Sequence, residues 1–130
     1  MLLDTHIWLW SLLDPCRLAP QVIAELESPE NEIWLSPISI WELLVLDRKG
    51  RIDLGGDPVA WIRQALAKVS LREAPLTHEI SIRSTQMNIS HGDPADRFLA
   101  ATALVHELTL VTADEKLIAS RAIAVLANRT

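Results

Sequence analysis

His91-Gly92-Asp93-Pro94-Ala95-Asp96-Arg97-Phe98-Leu99-Ala100-Ala101-Thr102-Ala103 is the stretch from which the fold can be read. Asp93-Pro94 is a helix start. The aspartate carboxylate can accept from N–H groups that lack partners in the first turn, and proline is tolerated at the first helical position. Leu99, Ala100, Ala103 and Leu104 then recur at helical spacing, and the small residues let a helix backbone approach a sheet closely. Asp96 falls in the first turn, where the helix dipole favours a negative charge. Two readings follow from that position. In one, Asp93 and Asp96 are a capping pair that starts the helix. In the other, Asp96 is a carboxylate held ionised at the mouth of an α/β sheet and available to a metal.

Toward the C-terminus, residues 108–112 are an apolar strand, Ala113-Asp114-Glu115 a turn into a short helix, and residues 122–126 a last apolar strand. Toward the N-terminus, Thr77 caps a helix expected to run to about Met87. Asp57-Pro58 repeats the aspartate–proline start and opens a helix through Trp61, Ile62, Leu66 and Val69. Ser39 with Glu42 three residues on has the capping-box pattern, which places another helix start at Ser39. That helix continues through Leu43, Leu44 and Leu46 until Lys49-Gly50 ends it. A short extended piece is expected at 51–54, a turn at Gly55-Gly56 and an edge segment at 70–73. Met1-Leu2-Leu3 and residues 33–36 read as short buried strands, and two helices lie between them, the second at 20–27 with Pro20 in its first turn. Strands alternating with helices imply a mostly parallel central sheet flanked by helices, an α/β three-layer sandwich, within a single domain spanning 1–130.

Composition narrows the class. In 130 residues, 49% are apolar and 22% charged, which excludes a disordered or fibrous chain. Cys16 is alone, so neither an internal disulfide nor a multi-cysteine zinc site is available, and a reducing cytoplasmic setting is expected. Asp4 and His6 interrupt the opening apolar residues, and neither a signal peptide nor a membrane span is expected. The net charge of −5 argues against a nucleic-acid binder unless several carboxylates form one cation-binding site. The basic cluster Arg48-Lys49-Gly50-Arg51 fits either a solvated helix end or a phosphate contact.

The acids have an informative placement. Asp4 follows the first strand, Glu42 lies early in the helix after the second, and Asp114 lies two residues past Thr112. Ligands of open parallel sheets bind at the carboxyl ends of the strands, which puts these three on one edge. Asp96 opens a helix whose first turn points to the same edge. Each acid also has a simpler role: Asp4 and Asp114 as helix caps, Glu42 as the capping-box partner of Ser39, Asp96 as the companion of Asp93. Four carboxylates converging on one edge would repel one another without a cation. Oxygen ligands lacking histidine–cysteine partners suit Mg²⁺ or Mn²⁺ rather than zinc. Such an ion would activate a water for in-line attack on a phosphodiester. Thr5 and Thr112 are placed to orient the carboxylates or the water.

Four segments occur in order along nearly the whole chain: Met1-Leu2-Leu3-Asp4-Thr5-His6, Ser39-Ile40-Trp41-Glu42-Leu43, the stretch from His91 to Arg97 followed by Leu99-Ala100-Ala101, and Val111-Thr112-Ala113-Asp114. In that order and approximate spacing the chain resembles the PIN-domain nucleases, and among them the VapC-type toxins of toxin–antitoxin pairs. The resemblance implies a PIN-like sandwich in which Asp4, Glu42, Asp96 and Asp114 form the acidic metal site. It also implies Mg²⁺- or Mn²⁺-dependent cleavage of RNA, a homodimer and inhibition by a cognate antitoxin. Alternatives are a non-catalytic PIN-like module that binds RNA or protein, and an RNA-processing nuclease outside any toxin–antitoxin pair. A haloacid-dehalogenase-type phosphotransferase needs a second aspartate where His6 stands, and a receiver-type switch needs an early acidic pair that is missing.

Other residues carry two readings each. His91 shapes the turn before Asp93 or contacts phosphate. Arg97 neutralises the acids or a phosphate, or makes an ordinary surface ion pair. His6 lines the edge of the acid site or lies on a helix surface. Of the five tryptophans, most belong in the core, and some of Trp8, Trp10 and Trp61 are candidates for a groove that takes a partner helix.

Overall fold

The computed structural model describes residues 1–89 and 93–129. Five short strands, β1 (Leu2–Leu3), β2 (Trp34–Leu35), β3 (Arg72–Glu73), β4 (Leu110–Thr112) and β5 (Val125–Ala127), pair in the order β3-β2-β1-β4-β5. Every pairing is parallel. Seven helices accompany them: α1 (Thr5–Leu13), α2 (Pro20–Glu27), α3 (Pro37–Arg48), α4 (Pro58–Lys68), α5 (His78–Ser84), α6 (Pro94–Val105) and α7 (Glu115–Ala119). A 3₁₀ turn, Pro15–Arg17, follows α1.

Alternation along the central strands sorts the core into two layers. Leu3, Leu35 and Val111 pack with Ile7, Trp8, Val22, Leu43 and Ile62 from α1 to α4. Leu2 and Leu110 point the other way, onto Ile80, Leu99, Ala100 and Leu117 from α5 to α7. This is the expected three-layer α/β arrangement. On α6, Ala100, Ala101 and Ala103 are buried, so the small residues do bring that helix close to the sheet.

Local chemistry sets the helix starts. The carboxylates of Asp4, Asp57, Asp93 and Asp114 and the hydroxyls of Ser36 and Thr77 each accept from a backbone N–H of the helix they precede. Pro20, Pro37, Pro58 and Pro94 occupy first helical positions. One expected start is corrected. Ser36, not Ser39, caps α3, because Pro37 is suited to the first helical position and Ser36 Oγ accepts from Ile38 N–H at 3.1 Å. Two extents also differ. Helix α5 stops at Ser84, where the hydroxyls of Ser84 and Thr85 donate back to the carbonyls of Ser81 and Ile82. Residues 51–54 form no strand; Leu54 N–H is tied to Asp47 Oδ1, and Gly50 and Gly55 take the left-handed turn conformation.

The chain runs outward from β1 through β2 to β3, then returns to place β4 on the other side of β1. The β1–β4 junction is therefore the topological switch point, where parallel sheets open a crevice at their carboxyl edge. Register sets Leu3 opposite Val111, so Asp4 and Thr112 stand side by side at that crevice.

Candidate metal centre

Four elements deliver the acids. Asp4 leaves β1 and caps α1, Glu42 sits in the second turn of α3, Asp96 in the first turn of α6, and Asp114 between β4 and α7. All four line one open cleft of about 350 Å³ at the switch point. Asp93, read from the sequence only as a cap, lines the same cleft while its Oδ1 accepts from Ala95 N–H at 3.2 Å. The N-termini of α1, α3 and α6 face this edge, and their dipoles favour the negative charge.

Asp4 is the most constrained of the set. It is buried, with Oδ1 accepting from Thr5 N–H at 2.7 Å and Oδ2 accepting from Thr112 Oγ1 at 2.6 Å. Thr112 Oγ1 in turn accepts from Asp114 N–H at 3.0 Å, so one hydroxyl links two of the four acids. Thr5 meets its expected role in part: its hydroxyl bonds Ser39 Oγ at 3.0 Å, bracing α1 against α3, and it also bears on the Glu42 carboxylate, where its hydrogen bond favours the ionised form. The caps at Asp4 and Asp114 are real, and each leaves acceptor capacity on its carboxylate. Glu42 and Asp96 make no capping bond among the described residues, and the capping-box role of Glu42 is not realised.

Electrostatics separate these acids from ordinary surface carboxylates. Burial pushes Asp4 up from its usual value, against the hydrogen bonds from Thr112 and Thr5. Burial also raises Glu42, against a hydrogen bond from Thr5, and the charges of Asp4 and Asp93 act in the same direction as burial. Asp96 is pushed up to about 7, first by burial and then by Asp4, Asp114, Asp93 and Glu42. The ion pairs among the described residues are Glu32–Arg72, Glu79–Arg83 and Glu115–Arg129, all away from the cleft.

Arg97 takes neither of its expected roles. Its guanidinium turns from the acids and donates to the carbonyls of Met87 at 2.9 Å and Ile89 at 3.0 Å, bracing the segment before α6. His91 lies outside the described residues. His6 lines the cleft, and so does Trp10, which the sequence reading had only among candidates for a partner groove. Trp8 is core and Trp61 half-buried against it. Trp41 on α3 is 57% exposed. The cluster Arg48-Lys49-Gly50-Arg51 is exposed at the far end of α3, about 9 Å along the axis from Glu42 to Arg48.

The donor set fits a hard divalent cation. It consists of carboxylate oxygens, partly desolvated and mutually repelling, with no lysine or arginine in the cleft lining, the condition that such a cation relieves. Among the described residues no three of these groups already form a closed ligand set. Asp4 and Asp114 are anchored by their capping bonds, and Glu42 and Asp96, which make none among the described residues, are the ones whose side chains would turn toward an ion.

A parallel sheet with a carboxylate-lined switch point defines an acidic-site α/β protein, and comparison makes the assignment specific. The PIN domain family model matches residues 1–122, and the chain belongs to that family. Among curated relatives it is similar to Ribonuclease VapC22 of Mycobacterium tuberculosis (strain ATCC 25618 / H37Rv), 33% identical over 118 residues covering 90% of this chain and 88% of the relative. Its fold is similar to a chain of VapBC2 from Rickettsia felis bound to a promoter DNA fragment, with a TM-score of 0.70, 15% identity and coverage of 97% and 96%. It is also similar to a chain of FitAcB from Neisseria gonorrhoeae, with a TM-score of 0.65, 24% identity and coverage of 98% and 96%.

Proposed function

We propose that this PIN-domain protein is a Mg²⁺- or Mn²⁺-dependent endoribonuclease that acts as the toxin of a toxin–antitoxin pair. The observation that carries the reading is the convergence of Asp4, Glu42, Asp96 and Asp114 on one cleft at the switch point whose lining holds no lysine or arginine. Similarity to a ribonuclease over most of both chains supports RNA as the substrate. Asp4, Glu42, Asp96 and Asp114 would hold the cation. When bound, such an ion activates water and offsets the charge that develops on a phosphodiester during in-line displacement. The Thr112 hydrogen bond orients Asp4 and favours its ionised form against burial, and the same hydroxyl ties it to the Asp114 turn. Arg97 ties the first turn of α6, which carries Asp96, to the carbonyls of Met87 and Ile89.

The test is RNA cleavage by the purified protein with Mn²⁺, Mg²⁺ or EDTA, beside Asp4→Asn and Asp96→Asn. Cleavage that requires the metal and disappears in both variants is expected. Cleavage that survives Asp96→Asn would return Asp96 to the helix-start role, and an absence of metal binding would sink the enzyme reading in favour of a non-catalytic binding module.

The partner reading rests on a second observation. An apolar groove of about 540 Å³ lies beside α3, with Ile40, Trp41, Leu44, Leu66 and Leu71 in its lining. An amphipathic helix of an antitoxin fits such a groove. The expected outcome is that cognate antitoxin abolishes cleavage by the wild type and fails to inhibit Trp41→Glu. We place the protein's action in the cytoplasm, where its RNA substrate is found, as a homodimer. No helix among the described residues is long and apolar enough to cross a membrane.

A further inference from the structure

The carboxylates that suit the cleft to a cation make it a poor place for a polyanion. Its lining holds Asp4, Glu42, Asp93, Asp96 and Asp114 and no lysine or arginine. A strand brought to this site must therefore be held by groups beside the acids. His6 and Trp10 form the other side of the lining. They are four residues apart on α1, hence on one face, with ring centroids 5.8 Å apart and planes tilted by 52°. The Arg17 guanidinium lies 4.4 Å from the centre of the Trp10 ring. The turn carrying Arg17 is fixed from the far edge of the sheet. Asn128 donates to the Arg17 carbonyl at 2.9 Å, and its side-chain oxygen accepts from Ala19 N–H at 2.6 Å. Arg17 makes no ion pair among the described residues, so its donors remain available.

We propose that His6, Trp10 and Arg17 form a nucleotide subsite for single-stranded RNA next to the scissile phosphodiester. This inference rests on the ribonuclease reading above and deepens it. A base lies against the aromatic wall of His6 and Trp10, and Arg17, held over the indole, takes the neighbouring phosphate. Single-stranded RNA is held by such combinations of aromatic and guanidinium surfaces, because unstacked bases need a flat partner and the backbone needs a cation. A planar guanidinium does both jobs here in a way that an ammonium does not.

The experiment compares wild type, Trp10→Leu, Trp10→Phe, Arg17→Ala, Arg17→Lys and the control Arg83→Ala, a surface arginine on α5 away from the cleft. It reads kcat and KM for RNA cleavage, binding of a short labelled single-stranded RNA in an Asp96→Asn background with Mn²⁺, and Mn²⁺ affinity by calorimetry. Arg17 is exposed, so its removal leaves the core intact; Trp10→Phe covers the case in which Trp10→Leu unfolds. Trp10→Leu and Arg17→Ala are each expected to weaken RNA binding and raise KM about tenfold, with little change in kcat and none in Mn²⁺ affinity. Arg17→Ala should also reduce the salt dependence of binding by about 0.7 in log–log slope, the value for one phosphate contact on a single strand. Trp10→Phe and Arg17→Lys should fall between. If wild type acts on RNA while these variants bind as it does, or Arg83→Ala weakens binding equally, the subsite is overturned and the ribonuclease reading stands. If wild type neither binds nor cuts RNA, both fall.

Discussion

Thr112 Oγ1 donates a 2.6 Å hydrogen bond to Asp4 Oδ2, joining the carboxyl ends of the two central strands at the point where the sheet reverses its order. Both residues are buried, and the same Thr112 oxygen accepts from the backbone of Asp114. Thr112→Val keeps the shape and removes the proton. Asp4, already raised by burial, loses the hydrogen bond that opposes that rise and becomes harder to ionise. The expected result is a 10- to 100-fold loss in Mn²⁺ affinity, the usual order for removing a partner of a metal-ligating carboxylate. Loss of stability near neutral pH should be about 1–3 kcal/mol. Calorimetric titration and thermal melts measure both, and an unchanged affinity would show that Thr112 is only a sheet residue.

Asp96 makes the stability of the metal-free protein depend on pH. Its folded-state value is about 7 against an ordinary 3.8, so the folded chain keeps a proton that the unfolded chain has released. The contribution is fully present below pH 3.8 and is lost as pH rises through about 7. Asp4 and Glu42 shift in the same direction. Metal-free protein should therefore lose stability between those limits, and Asp96→Asn should flatten part of the slope. Because Asp96 is half-exposed, solvent screening reduces its share to roughly 1–2 kcal/mol. Denaturant melts across the range check the sign; a flat wild-type profile in EDTA contradicts it.

Sequence alone carried the fold a long way because its punctuation is strong. Aspartate followed by proline marks helix starts at Asp57 and Asp93, and short apolar runs mark the buried strands β1 and β4. The error at α3 arose where two start signals overlap: Ser36-Pro37 and Ser39 with Glu42 both satisfy local rules, and proline at the first position decides. The early end of α5 depends on hydroxyls bonding back to the chain, which periodicity does not register. Four of the acids were legible from their places after strands and at helix starts. Trp10 was not, because Ile7, Trp8, Leu9, Trp10, Leu12 and Leu13 make α1 apolar nearly all round and no face stands out. The direction taken by Arg97 was equally hidden, since it depends on carbonyls that only tertiary packing brings near.

Those carbonyls give Arg97 a structural role with a distinct signature. Two N–H groups of one guanidinium satisfy Met87 and Ile89, so Arg97→Ala removes two hydrogen bonds to a charged donor and leaves two partly buried acceptors short. The expected loss is about 2–4 kcal/mol, larger than for a surface ion pair. It should persist at high salt, where an exposed ion pair would be screened. Equilibrium unfolding of Arg97→Ala at low and high ionic strength checks this, and a salt-sensitive loss below about 1 kcal/mol would restore the surface-pair reading.

The two readings of α3 can be separated in the same way. Ser36→Ala removes the hydroxyl that accepts from Ile38 and should cost about 1 kcal/mol, with Mn²⁺ affinity nearly unchanged. Glu42→Ala should do the reverse. Glu42 is partly desolvated and repelled by Asp4 and Asp93, which together outweigh its hydrogen bond from Thr5, so its removal should leave the stability of the metal-free fold the same or slightly higher. Mn²⁺ binding should fall steeply if Glu42 is one of the four proposed ligands. A capping-box glutamate predicts the opposite pattern: stability lost on Glu42→Ala, retained on Glu42→Gln, and metal affinity indifferent to both. Thermal melts in EDTA beside Mn²⁺ titrations of the three variants distinguish the two patterns, since stability and metal affinity move in opposite directions at Ser36 and Glu42 only when the carboxylate belongs to the cleft.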